Sequence, residues 1–250
     1  MKGPVVSHSH VVTGASQGVG RAIAERLAGD GHVVILDIAA SLDWDNPSVE
    51  LVTGDARVPE AAARAARAAE AVAPLAGWVN NAAIFRDATL STASASDVLD
   101  LITANLALAV TGCHTAVNHY LSHQRRGSIV NVSSHQAQRP VRGALPYATA
   151  KAAVEALTKA IAVDHGPDGI RANAVALGSI TTSRYEAYRR DHPEADQQMA
   201  RLHPLGRVGT GAEVADAVAY LLSNQASFIN GVILPVDGGR AAQGADPEAT

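Results

Sequence analysis

The stretch HVVTGASQGVGRAIAERLA, residues 10–28, decides the fold, because it runs from an apolar segment through a glycine-rich turn into an amphipathic segment. The valines before the turn predict a buried strand, and apolar residues four apart after it predict a helix. Three residues without side chains, Gly14, Gly18 and Gly20, permit a tight turn and a close approach of the backbone to a pyrophosphate. The turn has the spacing TGxxxGxG and lacks the lysine of a P-loop. It predicts a helix N-terminus that points at a phosphate.

Short β-branched runs and longer helical stretches continue to alternate along most of the chain. This alternation predicts an α/β fold with a parallel sheet and helices on both of its faces. The predicted strands are residues 10–13, 33–36, 49–53, 78–79, 129–132 and 173–176. The clearest predicted helices are residues 20–28, 60–72 and 150–164. No repeat or linker divides the sequence, so a single domain over residues 1–250 is expected.

Two stretches depart from this alternation. Residues 179–205 are polar and are interrupted by Pro193 and Pro204, which predicts a mobile segment that covers a substrate site and is not a sheet layer. Residues 241–250 are expected to form a flexible tail.

Composition excludes several classes of function. The chain has 250 residues, a formal net charge of −4 and 4% aromatic residues, which disfavours partners such as nucleic acid or anionic lipid. Its one cysteine, Cys113, excludes an internal disulfide and is expected to pack in the core. The N-terminus lacks the pattern of a signal peptide, and no run approaches 18 apolar residues. A cytoplasmic protein without a membrane segment is therefore expected.

An acidic residue closes the second predicted strand. Asp37 ends VVILD, 17 positions after Gly20, where a carboxylate can accept hydrogen bonds from the ribose hydroxyls of an adenosine. The same carboxylate would repel a 2′-phosphate, and the neighbouring Gln17 and Ile38 offer no cation to receive one. The pattern favours NAD over NADP. The turn and the acid fit a methyltransferase that binds S-adenosylmethionine equally well, so these residues alone leave the class of cofactor open.

A tyrosine and a lysine stand four apart in YATAK and therefore share one helix face. Tyr147 is a phenol with an ordinary pKa near 10, and the ammonium of Lys151 together with a positive nicotinamide is expected to lower that pKa. Ser134 ends the predicted strand GSIVNVSS, 13 residues before Tyr147. A serine at the carboxyl end of a strand is well placed to hydrogen-bond a substrate oxygen.

Taken in order, these motifs resemble the short-chain dehydrogenase/reductase family in its compact form, from about residue 10 to residue 239. The resemblance implies a Rossmann-type, doubly wound α/β sandwich with a seven-stranded parallel sheet. It also implies a homotetramer with dimer contacts through helices near residues 101–120 and 147–164. The motifs and residues that carry the resemblance are TGASQGVG, Asp37, Asp55, NNAA at 80–83, Asn105, NVSS, YATAK and VDGG at 236–239.

The resemblance also implies an activity. The chain would be an NAD-dependent oxidoreductase that interconverts a secondary alcohol and a ketone by hydride transfer. Tyr147 would be the general acid/base, and Ser134 would orient the substrate oxygen. Lys151 would lower the pKa of the tyrosine and bind the nicotinamide ribose, while Asn105 would hold a water for proton relay.

The cofactor would be NAD. By resemblance, Asp55 contacts the adenine edge, residues 81–83 the adenosine ribose, and Ile180 with Thr182 the carboxamide. The full set of implied cofactor-binding residues is Gly14, Ser16, Gln17, Gly18, Val19, Gly20, Asp37, Ile38, Asp55, Ala56, Asn81, Ala82, Ala83, Tyr147, Lys151, Gly178, Ile180 and Thr182. Two positions depart from the family pattern. Ala83 replaces a glycine, and Leu177 replaces the proline before Gly178, for which a looser or differently angled lid is expected.

The substrate side of the site is predicted around the residues that follow Ser134. Polar side chains there favour a small hydroxylated or anionic substrate, such as a sugar, a polyol or a hydroxy acid. The predicted substrate residues are Ser134, His135, Gln136, Tyr147 and Ser179, with Gln138 and Arg139 nearby.

His119 and His123 are four apart but lack the glutamate of a zinc protease motif, so no metal site is predicted. Two other classes of function remain as alternatives. One is an NAD(H)-sensing binding protein without turnover, disfavoured by the complete set of acid/base residues. The other is the methyltransferase, which would bind S-adenosylmethionine and leave NADH fluorescence unchanged.

Overall fold

The described residues contain seven strands that lie parallel in one sheet, as the resemblance implies. The computed structural model describes residues 7–244, and the order across its sheet is β3-β2-β1-β4-β5-β6-β7. Every neighbouring pair is parallel. The strands are β1 (Ser9–Thr13), β2 (His32–Asp37), β3 (Val49–Thr53), β4 (Leu75–Asn80), β5 (Gly127–Ser134), β6 (Ile170–Leu177) and β7 (Ile233–Val236).

Helices cover both faces of this sheet. Successive strand residues point to opposite faces, so Val11 joins the apolar core beneath one set of helices and Val12 joins the core beneath the other. The helices are α1 (Gly18–Ala28), α2 (Pro59–Val72), α3 (Ala95–Ser122), α4 (Leu145–His165), α5 (Ser183–Asp191), α6 (Ala195–Leu202) and α7 (Gly211–Leu222). The first core includes residues of α2, α3 and α4, and the second includes residues of α1 and α7.

Several elements are longer than the sequence pattern predicts. β4 begins at Leu75, although Ala76 and Gly77 gave no strand signal, because pairing with β1 and β5 holds this segment extended. α4 begins at Leu145, five residues before the predicted start, since a proline fits the first turn of a helix. Tyr147 therefore lies in the first turn of α4.

α3 is long and apolar enough to span a membrane by length and composition, with a mean hydropathy of 1.3 over an 18-residue window. Polar residues interrupt this window, so it is not the continuous apolar run whose absence the sequence shows. In this fold α3 packs against β4, β5, α2 and α4, and it buries the polar side chain of Asn105. Only 33% of the window is buried within the single chain.

Residues 179–205 form no sheet layer, in agreement with the sequence, and they carry α5 and α6. Pro193 lies between the two helices, and the Tyr185 hydroxyl donates to Asp196 at 2.6 Å, which joins them. At one end of the segment, the amide of Thr181 donates to the carbonyl of Gly209 at 2.8 Å. At the other end, the amide of Leu205 donates to the carbonyl of Gly238 at 3.2 Å.

The predicted tail is described only in part. Residues 241–244 follow a turn in which the amide of Ala241 donates to Asp237 at 2.7 Å. Residues 245–250 lie outside the described residues.

Candidate functional site

The predicted site residues gather at one edge of the sheet, because the carboxyl ends of parallel strands meet there. Three of them, Asn105, Tyr147 and Lys151, come from helices. The others follow six successive strands of the sheet order: Asp55 and Ala56 after β3, Asp37 and Ile38 at β2, residues 14–20 after β1, residues 81–83 after β4, residues 134–136 at β5, and residues 178–182 after β6.

The glycine-rich turn is packed directly against the segment after β4. Gly14 has a φ of +64°, and a Cβ added to it would lie 2.7 Å from the Cα of Ala82. A Cβ on Gly20 would collide with the carbonyl oxygen of Gly14 and lie 2.5 Å from the Nδ2 atom of Asn81. Both positions therefore require glycine, as the sequence predicts.

Two side chains clamp this turn. Asn81 Nδ2 donates to the carbonyls of Thr13 at 3.1 Å and Gly14 at 2.7 Å. The Thr13 hydroxyl accepts hydrogen bonds from the amides of Asn81 and Ala82, both at 3.1 Å. The sequence analysis named Asn81 for a cofactor contact and assigned no role to Thr13, although Thr13 is the first residue of the TGxxxGxG turn.

The start of α1 is open to an anion. Gln17 is the N-cap residue and gives no side-chain hydrogen bond to the first amides of the helix, so those amides remain available. Beside them, Asp37 accepts a hydrogen bond from the amide of Ser16 at 2.9 Å and one from the amide of Ala39 at 3.1 Å. Ile38 is 79% exposed. The carboxylate is thus fixed next to the turn.

The nearby cation is already engaged. Arg21 pairs with Glu25 at 2.8 Å and with Asp43 at 3.4 Å. Its guanidinium also lies 5.2 Å from the ring centroid of Trp44. At the next strand, Arg57 holds Asp55 through hydrogen bonds at 3.0 and 3.1 Å and lowers the pKa of that carboxyl.

Tyr147, Ser134 and Lys151 come together where β5 meets α4. The Ser134 hydroxyl lies near enough to the phenol of Tyr147 to lower its pKa, and it accepts a hydrogen bond from the amide of Gln136 at 3.2 Å. Lys151 Nζ lies 5.5 Å from the Tyr147 ring centroid and donates to the carbonyl of Val132 at 2.7 Å. All three predicted side chains are buried.

Burial controls the protonation of this group. It raises the pKa of Tyr147 to about 12, against the lowering effects of the Ser134 hydroxyl and the Arg184 charge. It lowers the pKa of Lys151 to about 8. In the protein alone, the pKa of Tyr147 therefore shifts opposite to the sequence expectation, because desolvation of the phenolate outweighs the nearby positive charge.

Asn105 acts on a neighbouring loop. Its Oδ1 atom accepts from the amide of Ile84 at 2.9 Å, and its Nδ2 atom donates to the carbonyls of Ile84 and Leu101. This fixes the chain just before Phe85, whose ring lies 4.7 Å from that of Tyr147. The role of Asn105 in holding a water for proton relay stays a prediction, because its side-chain oxygen and nitrogen are hydrogen-bonded to backbone groups.

Phe85 and Arg184 were missed by the sequence analysis. The Arg184 guanidinium, from α5, lies 5.3 Å from the ring centroid of Phe85. Helix α5 is thus linked to Tyr147 through the exposed ring of Phe85. Neither residue belongs to a motif, so only their proximity in space reveals them.

The predicted substrate side is built on the short 3₁₀ turn after β5. His135 is buried, and its Nδ1 atom hydrogen-bonds to the carbonyl of Leu177 at 3.1 Å. Gln138 is exposed and donates to Glu155 at 3.2 Å, while Arg139 is exposed. Leu177 is the last residue of β6 and pairs with Ser134 on one side and Val236 on the other. The looser or differently angled lid that the sequence analysis expects from Leu177 stays a prediction.

At the opposite surface, Glu70, His119 and His123 place one ligand atom each within 4.8 Å of one another. The carboxylate of Glu70 is already engaged by Arg125 at 2.6 Å and by His119 at 3.0 Å. The two histidine rings are stacked, with centroids 4.1 Å apart, and therefore do not converge on one point. We assign no metal role to them.

Comparison with known proteins agrees with this geometry. Residues 14–241 match the family model described as enoyl-(acyl carrier protein) reductase. The chain is 34% identical to 3beta-hydroxysteroid dehydrogenase 1 of Eggerthella lenta, with 92% of each chain covered. The chain belongs to the short-chain dehydrogenase/reductase family. It is also 36% identical to 2-(R)-hydroxypropyl-CoM dehydrogenase of Xanthobacter autotrophicus, over 95% of this chain and 100% of that one.

Solved structures of short-chain dehydrogenases/reductases have the same fold. The aldohexose dehydrogenase of Thermoplasma acidophilum, in ligand-free form, superposes with a TM-score of 0.85 at 32% identity, covering 98% of both chains. A protein of Agrobacterium tumefaciens with bound NADP superposes with a TM-score of 0.83 at 29% identity, covering 97% of this chain and 100% of that one. Oxidoreductase chemistry with a nicotinamide cofactor is thus established at the level of the family.

The pKa of Lys151 can be measured directly, because the chain has only three lysines, Lys2, Lys151 and Lys159. Burial disfavours the ammonium, so we expect one side-chain resonance in NMR of isotope-labelled lysine to titrate near pH 8. That resonance should be missing in Lys151→Met. Titration of the Lys151 signal near the ordinary value of 10.5 would contradict its burial.

Proposed function

We propose that this protein is an NAD-dependent oxidoreductase that interconverts a secondary alcohol and a ketone. The observation that carries the proposal is the meeting of the Ser134 hydroxyl, the Tyr147 phenol and the buried Lys151 at the carboxyl edge of the sheet. A phenol beside a second hydroxyl can exchange a proton with a substrate oxygen that both groups contact. A cofactor-sensing protein would have no use for this group.

The residues present fit a dinucleotide. A close backbone approach at Gly14 and Gly20 and the uncapped amides of α1 suit a pyrophosphate, and the Asp37 carboxylate beside them suits ribose hydroxyls. NAD, when bound, supplies the hydride acceptor or donor. We assign the remaining contacts to the residues that the family resemblance implies, from Asp55 to Thr182.

The chain's own residues handle the proton. In alcohol oxidation, Ser134 holds the substrate hydroxyl and the oxygen of Tyr147 accepts its proton; in ketone reduction, the same phenol donates that proton. Lys151 keeps a positive charge close to the tyrosine and, through Val132, is fixed to β5. Asn105 acts as a positioning residue for the loop that carries Phe85.

Selectivity for NAD rests on Asp37. Its carboxylate is fixed by the amides of Ser16 and Ala39, so it would lie against a 2′-phosphate. The cation in reach of the turn, Arg21, is held by Glu25 and Asp43. This charge pattern supports NAD, even though a related structure holds NADP.

Tyr147→Phe tests the acid/base role. With the most reactive alcohol from a panel of sugars, polyols, hydroxy acids and secondary alcohols, turnover should fall about 100- to 10,000-fold, because the proton acceptor is gone. NADH affinity, measured by fluorescence, should stay within a few fold. The control is Tyr220→Phe on α7, which should keep full activity. An active Tyr147→Phe enzyme would refute the role.

Asp37→Ala tests the choice of cofactor. Without the carboxylate, the ratio of kcat/KM for NAD to that for NADP should fall at least about tenfold, since a charge repulsion is removed. Asp45→Ala, an exposed acidic residue on the following loop, is the matched control. If Asp37→Ala leaves the ratio unchanged, selectivity comes from other residues.

We further propose a homotetramer in which α3 and α4 form a dimer contact. Large apolar side chains on these helices are exposed in the single chain, among them Leu99, Val110, Leu121 and Val163. The low buried fraction of the apolar window of α3 is in keeping with a second copy that covers this face.

Light scattering at micromolar protein should therefore give about four times the chain mass of 25.7 kDa. Val163→Glu, which places a charge on the proposed contact, should shift the mass toward the monomer. A monomeric wild type would end this part of the proposal.

A further inference from the structure

A half-buried arginine stands at the substrate side of the site. Arg240 lies in the turn that follows β7, and its guanidinium donates to the hydroxyl of Ser179 at 2.8 Å. Ser179 comes two residues after the end of β6, which pairs with Ser134 in the sheet. Arg240 is also close enough to His135, the residue after Ser134, for its charge to lower the pKa of that imidazole. Arg240 therefore belongs to the reacting edge.

The charge of Arg240 has no matching carboxylate among residues 7–244. No ion pair within that range includes it. Burial lowers the pKa of the Arg240 guanidinium, and the charge of Asp237, which raises that pKa, has the smaller effect. Both oxygens of Asp237 are used by backbone amides, those of Gly239 at 2.9 Å and Ala241 at 2.7 Å.

The histidine beside Ser179 does not share the positive charge. His203 accepts a hydrogen bond from the amide of Ser179 at 3.2 Å through Nε2, and its Nδ1 atom donates to the carbonyl of Met199 at 2.7 Å. One ring nitrogen that accepts and one that donates describe a neutral imidazole. Arg240 is thus the permanent cation of this cluster.

Two buried acceptors belong to the residues that follow Ser134, and the charge of Arg240 acts on one of them, His135. His135 donates from Nδ1 to the carbonyl of Leu177, so its Nε2 atom carries a lone pair in the neutral form, which burial favours by lowering the pKa. That Nε2 atom and the Oε1 atom of Gln136 are buried without a hydrogen-bond partner among the described residues. His135 is only 6% exposed. Buried polar atoms without partners are uncommon and are often satisfied by a ligand.

A ligand that satisfies these groups needs both an anion and hydroxyl donors. A partly desolvated guanidinium gains most from a carboxylate or a sulfonate, which can accept two parallel hydrogen bonds. The Nε2 atom of His135 and the Oε1 atom of Gln136 are hydrogen-bond acceptors, so the same molecule would need O–H groups to donate to them. A steroid or a simple apolar alcohol supplies neither an anion nor several hydroxyls.

We propose that Arg240 and Ser179 form a subsite for an anionic group of the substrate, which is therefore a hydroxy or keto acid. This inference rests on the proposed function and names its substrate class. The hydroxyl that reacts lies between Ser134 and Tyr147, and the anion lies on the guanidinium. The turn after β7 thus becomes a specificity determinant.

The test uses substrate pairs that differ in charge. D-Gluconate is compared with D-glucitol, and racemic 3-hydroxybutyrate with its methyl ester, by NADH formation. Wild type should prefer the carboxylate of a pair. Arg240→Gln should lower kcat/KM for that carboxylate about 10- to 100-fold, mainly through KM, and leave the neutral partner nearly unchanged. Arg240→Lys should fall between the two. Arg201→Gln, which removes an exposed charge from α6, is the matched control and should behave as wild type.

A second readout does not need turnover. In the presence of NAD, gluconate should raise the melting temperature of wild type more than glucitol does, and Arg240→Gln should abolish the difference. An equal difference in both proteins, or equal losses on both members of a pair, would overturn the subsite. A chain that binds NADH and oxidises neutral alcohols without a carboxylate preference would keep the proposed function and lose only this inference.

Discussion

The site depends on a contact between backbone segments in which no side chain fits. Gly20, at the start of α1, lies against the carbonyl of Gly14 and the side-chain Nδ2 atom of Asn81, and Gly14 lies against the backbone of Ala82. This contact brings the first helix, the first strand and the segment after β4 to one point. Asn81 and Thr13 then tie the three together with hydrogen bonds at 2.7 to 3.1 Å. The other strand ends follow, because parallel neighbours carry them to the same edge.

Electrostatics at that edge are set by burial. The phenol of Tyr147 and the ammonium of Lys151 are each pushed toward their neutral form, by the same desolvation and in opposite pKa directions. The site therefore holds few free charges of its own. Where a charge does persist, as at Arg240 or Asp37, it is fixed by hydrogen bonds to neighbouring groups, and its effect on a bound molecule is correspondingly strong.

The sequence predicted the sheet, the glycine turn, Asp37 and the Ser134, Tyr147 and Lys151 group, because each has a local signature. A positive φ requires glycine, alternating elements require a parallel sheet, and four-residue spacing places two side chains on one helix face. Thr13 is the first residue of the TGxxxGxG turn, but that motif does not give its role, and Phe85, Arg184 and Arg240 have no such signature. Their neighbours lie far away in the chain, as with Arg240 and Ser179, which are 61 positions apart. The sequence also could not predict that the pKa of Tyr147 is raised, because burial depends on packing and not on a local motif.

Residues 179–205 are attached at both ends, through Thr181 to Gly209 and through Leu205 to Gly238. Between these anchors, α5 reaches Phe85 through the side chain of Arg184, and neither α5 nor α6 adds a strand to the sheet. Insertions or deletions within this stretch would therefore leave the proton-transfer geometry in place. Changes in this stretch during evolution can therefore alter which substrate is recognised, while the residues that transfer the proton keep their positions.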